Sequence, residues 1–117
     1  MNFVKFTETP KKTLYCTVNP RGVIYLNIGI KKEFSLEKTK FAVLYHDLEN
    51  KLFCIEFIRD KTEEYLYRVV NHESGSYISA MSFVRFLGIC KEKKTMFPVK
   101  KDGDNRIIVD FSGAETI

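Results

Sequence analysis

Tryptophan is absent from this chain, and cysteine, proline and methionine occur only three times each. Cys16, Cys54 and Cys90 are odd in number and none lies close to another, which excludes a disulfide framework; they read as buried thiols of a reducing compartment. No apolar run approaches the roughly 18 residues of a membrane span. The opening "MNFVKFTETPKK" has no signal-peptide core, so a cytoplasmic, non-membrane protein is expected. No Cys/His pair has metal-ligand spacing, no glycine loop ends in the Gly-Lys of a phosphate cradle, and "DGDN" lacks the distal Glu of a calcium loop. No metal or cofactor is therefore expected. "YHD" and "NHES" collect polar groups, but neighbours on a strand point to opposite faces, which is not a catalytic spacing. A Cys54–His46 nucleophile pair would need a depressed thiol pKa and an orienting group that the sequence does not announce. The chain reads as not an enzyme.

What is present is an ordinary globular composition over 117 residues, 44% hydrophobic and 29% charged, enough for one domain with its own core. Ten Phe and six Tyr favour pleated sheet. Strands are expected over "TLYCTV", "VIYLN", "FAVLYHD", "KLFCIEFI", "YLYRVV", "SYIS", "TMFPV" and "RIIVDF". Turns separate them at "NPRG", "DLEN", "NHESG" and "KKDGDN". Two short helices fit between. One covers "IGIKKEF", capped by Asn27, with Ile30 and Phe34 on one face. The other covers "AMSFVRFL", capped by Ser79, with Met81, Ser82, Phe83 and Leu87 as its stripe and Gly88 closing it. In "KLFCIEFI" the alternation turns Phe53, Ile55 and Phe57 to the core, and Pro98 is expected at an edge or bulge.

The order then repeats. Gly22 and Gly75 stand 53 residues apart, and at that offset Ile28 matches Met81, Ile30 matches Phe83, Lys32 matches Arg85 and Leu36 matches Ile89. Phe57 matches Phe111 at 54, a one-residue slip. A half of about 50 residues buries too little surface alone, so two halves sharing one core is the physical expectation. The expected fold class is mostly β with two short helices: a pseudo-twofold barrel of two βαββ-type repeats, 13–62 and 63–112. An N-terminal arm or edge strand (1–12) and a tail (113–117) flank this single barrel domain.

The stretch "CTVNPRGVIYLNIGIKKEFSLEKTKFAVLYHDLENKLFCIEF" resembles the AbrB/SpoVT-like swapped-hairpin (cradle-loop barrel) family of bacterial transition-state regulators and antitoxins. The shared pattern runs from Val18 through Asp47: the turn glycine Gly22, the strand "VIYLN", a short helix with Lys31-Lys32, an apolar Leu36 and the strand "FAVLYHD". Residues 65–111 resemble the same unit more weakly. The family usually has proline where this chain has Asn27 and Ala80, and basic residues where it has Cys16 and Thr17. The resemblance implies a swapped-hairpin pseudo-dimer carried in one chain, and a transcription regulator that binds duplex DNA.

Net charge is +4, spread along the chain with clusters at Lys31-Lys32 and Lys91–Lys94. Arg21, Asn27, Lys31, Lys32, Arg85, Lys91, Lys93 and Lys94 are the expected nucleic-acid-binding residues, the lysines meeting phosphates and Arg21, Asn27 or Asn19 nearest the bases. The alternative is a protein-interaction or inhibitor module on the same barrel, of the kind a mobile element encodes, using the aromatics Tyr15, Tyr25, Tyr65 and Tyr67. Double-stranded DNA or an unidentified protein is the expected partner, with the chain a monomeric pseudo-dimer or a homodimer.

Overall fold

The computed structural model describes residues 2–4, 14–61 and 64–112. Most of the expected arm, two residues of the inter-repeat linker and all of the tail from residue 113 lie outside the described residues; 2–4 carry no regular structure.

The first half runs β1 (Tyr15–Val18), β2 (Val23–Asn27), α1 (Ile28–Glu33), β3 (Phe41–Asp47) and β4 (Leu52–Ile58). The second runs β5 (Tyr67–Arg68), β6 (Val70–His72), β7 (Gly75–Ser79), α2 (Met81–Leu87), β8 (Thr95–Asp102) and β9 (Arg106–Asp110). All pairings are antiparallel, in the order β5-β3-β4-β9-β8-β1-β2-β7-β6. The two edge strands, β5 and β6, are consecutive in the chain, so one segment crosses the seam of a nearly closed barrel. The single strand expected over "YLYRVV" is therefore divided. Val69, buried at the division, donates its N–H to the Lys40 carbonyl at 2.8 Å.

The expected twofold is written into the ladder registers. Val23 pairs with Ser79 and Leu26 with Ser76, two pairs exchanged by a shift of 53 residues. Leu52 pairs with Asp110 and Glu56 with Arg106, exchanged by 54, the expected slip. The glycines also correspond: Gly75 lies opposite Asn27, and Gly22 accepts from Ala80 N–H at 2.8 Å. Each therefore faces the residue that precedes the other half's helix. A Cβ on Gly22 would run into the Met81 backbone, and one on Gly75 into the Leu26 carbonyl oxygen. Close backbone approach is what glycine supplies at both places.

Inward residues alternate as read: Phe53, Ile55 and Phe57 from β4 meet Ile24, Leu26 and Ile78 in one shared interior. Each fully buried side chain of this size contributes roughly 1.5–3 kcal/mol. Phe53 meets Phe83 of α2 edge-on at 5.7 Å, so the first half's hairpin is closed by the second half's helix.

Two local expectations are corrected. Ser79 does not cap α2: it remains in β7 opposite Val23, the N-cap is Ala80, and no side chain accepts there. Met81 and Ser82 are exposed, and Val84 joins Phe83 and Leu87 in the buried stripe, because with Ala80 these residues stand at i, i+3, i+4 and i+7 on one helical face. Pro98 is at a local edge, as expected: it pairs with Tyr15 of β1 and with no residue of β9, at the corner where β8 passes from one partner to the other. The expected Asn27 cap and Gly88 closure are both observed.

Candidate functional site

The outer face of β2 and β7 is built by alternation. With Ile24, Leu26 and Ile78 inside, Tyr25 and Tyr77 are turned outward, directly opposite each other with ring centroids 6.0 Å apart. The row continues through Thr17 to Met96 on one side and to Val70 on the other. It holds no charged side chain. Tyr25 is 44% exposed and Tyr15 36%. His72 stacks on Tyr77 at 5.2 Å, with 16° between the ring planes.

Beside this row lies a groove of about 290 Å³ lined by Tyr15, Tyr25, Tyr77, Asn27 and Gly75, among others. It meets a wider cleft of about 870 Å³ between α1 and the β6–β7 turn, and Ile28 and His72 line both. The cleft carries Lys31, Lys32 and Lys38 against Glu37 and Glu73. Its wall is tied together by hydrogen bonds: Asn71 Nδ2 donates to the Leu36 carbonyl at 3.0 Å, and Ser76 Oγ donates to Asn71 Oδ1. The asymmetry of the two halves helps shape it. Two residues, Glu73 and Ser74, join β6 to β7, where the longer Asn19–Gly22 turn joins β1 to β2. At that other turn Gly22 closes directly on Met81.

The eight expected nucleic-acid residues fall into three groups. Asn27, Lys31 and Lys32 border the groove and cleft. Arg21 lies on the β1–β2 turn and Arg85 in the last turn of α2, and neither lines the groove or the cleft. Lys91, Lys93 and Lys94 are exposed on the loop between α2 and β8. Two members of the first group already have structural duties. Asn27 Oδ1 accepts from Ile30 N–H at 3.2 Å, capping α1. Lys31 is buried; its Nζ donates to the His72 carbonyl and pairs with Glu37 at 3.4 Å. Lys32 is exposed. Sequence reasoning marked Tyr15 and Tyr25 as surface aromatics and His72 only as part of the "NHES" turn, and did not single out Tyr77 or Lys38. The available signal was the alternation of "GSYIS", which sets Tyr77 against the buried Ile78.

Elsewhere, burial pushes the Cys16 thiol up to about 12, with Cys90 adding to it, and burial also raises Cys54 and Cys90. Such thiols stay protonated at neutral pH. His46 lies opposite Phe53 and against the Phe86 ring at 4.7 Å, whereas Cys54 lies opposite Tyr45; the two are on alternate faces and form no pair. Among the described residues no three His, Cys, Asp or Glu side chains gather as a metal site. No described helix is long and apolar enough to cross a membrane.

No protein-family model matches the sequence, no curated protein matches it, and no solved structure matches the fold.

Proposed function

We propose that this chain is a non-enzymatic nucleic-acid-binding regulator of AbrB-like descent. One observation carries the reading: a groove with aromatic rings on its face adjoins a cleft that carries three lysines against two glutamates, the two sharing Ile28 and His72. Flat rings take nucleobases and ammonium groups take phosphates, and nucleic acids present the two together along a chain. Lys32 and Lys38 are the phosphate contacts, and Lys31 holds the cleft in shape.

The test is a binding titration with labelled oligonucleotides at 50 and 200 mM salt, on the wild type and on Lys32→Ala/Lys38→Ala. Affinity should fall with salt and fall again in the double variant. Binding indifferent to both would contradict the reading.

A second reading, a protein-interaction or inhibitor module, is favoured by the uncharged outer row Met96–Thr17–Tyr25–Tyr77–Val70, since interface centres are depleted of charge and rich in Tyr and Met. It predicts stoichiometric co-purification with one protein, abolished by Tyr25→Asp, and no oligonucleotide binding.

A further inference from the structure

We propose that the groove takes a single-stranded nucleic acid, its bases laid on Tyr25 and Tyr77 and its next phosphates carried to Lys32 and Lys38. This rests on the nucleic-acid reading above and narrows it to a substrate class.

The ring faces decide it. Within a duplex each base has both faces covered by its neighbours, and only base edges and phosphates are offered to a protein. A ring-lined groove therefore has nothing to stack on until a strand is single. Here Tyr25 and Tyr77 stand at the centre of the exposed sheet face. Tyr77 already carries one flat nitrogen heterocycle, the His72 imidazole, in a stacked arrangement. That is the geometry a base would extend or replace. A volume of about 290 Å³ suits one or two nucleotides, not the width of a double helix.

The charge pattern agrees. A duplex binder depends on many phosphate contacts, whereas the cleft joined to this groove offers two exposed lysines, Lys32 and Lys38. For single strands the logarithm of affinity falls by about 0.7 per phosphate contact for each tenfold rise in salt. Two contacts give a slope near −1.4, a loss of about sevenfold between 50 and 200 mM salt. Contact through all seven basic positions read from the sequence would give a loss of about three orders of magnitude.

The experiment is fluorescence anisotropy on the full chain with labelled (dT)10, (U)10 and a ten-base-pair duplex. The absence of tryptophan leaves tyrosine emission as an unobscured second readout of stacking. A single strand should bind at least tenfold more tightly than the duplex, quench tyrosine emission and show the shallow salt slope. The ratio of (dT)10 to (U)10 distinguishes a DNA from an RNA ligand. Tyr25→Ala should weaken single-strand binding at least fivefold, while Tyr25→Phe, which keeps the ring and the fold, should bind like the wild type. Duplex binding as tight as single-strand binding, or Tyr25→Ala binding like the wild type, would overturn the single-strand proposal and leave nucleic-acid binding standing. No binding of any of the three polymers at 50 mM salt would overturn both.

Discussion

Lys31 and Lys32 are adjacent in sequence and opposite in duty. The Lys31 ammonium is tied to the His72 carbonyl and to Glu37 in a buried setting, so its loss strands a backbone acceptor. Lys31→Ala should cost about 1.5–3 kcal/mol, the range for hydrogen bonds to charged groups, and Lys32→Ala within about 0.5 kcal/mol of nothing, as read by urea unfolding. Equal losses in both would contradict this division of labour. Cys16 makes a second residue-scale prediction. Its folded pKa is raised from 9.0 to about 12 by burial, so its contribution is fully present below pH 9 and is lost as pH rises toward 12. Between pH 8 and 10.5 the wild type should lose about 2 kcal/mol more than Cys16→Ala, measured by denaturant unfolding under reducing conditions. An identical pH dependence in the two proteins would show that the thiol ionises freely.

At the scale of elements, what could be read from sequence was what depends on near neighbours. The strand "FAVLYHD" and the Asn27-capped helix follow from alternation and from one side-chain acceptor, and both are found where they were read. The cap of α2 was misplaced because Ser79 is chemically the better cap, yet its place in the ladder opposite Val23 keeps it in the strand. A tertiary pairing outweighed a local propensity there. Pro98 could be read as an edge residue, but the corner it marks exists only once both neighbouring strands are known. The groove was half legible. Tyr25 and Lys32 could be named, but their union with Tyr77, His72 and Lys38 comes from the β2–β7 pairing, which spans more than 50 residues of chain. The same pairing makes Gly22 sensitive. Gly22→Ala meets the Met81 backbone and holds a non-glycine residue at φ +81°, so a loss of at least about 2 kcal/mol is expected by thermal or urea unfolding. Wild-type stability in that variant would mean that the turn does not close on α2.

Across the whole molecule, the two halves depend on each other. β2 pairs with β7, β4 with β9, and β1 with β8, so either half alone would expose ladder edges along several strands and open the shared interior. Fragments 1–62 and 63–117 should each be unfolded by circular dichroism and regain strand signal when mixed. An independently folded fragment would contradict the common core. The same dependence bears on the groove, whose two walls come from opposite halves: α1 and Tyr25 from the first, His72, Gly75 and Tyr77 from the second. A ligand there would bridge the repeats and stabilise the whole barrel.

The most direct measurement is a map of backbone amide shifts in ¹⁵N-labelled protein during titration with (dT)10. The largest changes should cluster at Tyr25, Ile28, Lys32, His72 and Gly75, along the groove and into the cleft. Changes confined to Arg21, Arg85 and the Lys91–Lys94 loop, or no localised changes at saturation, would contradict the groove as the binding site.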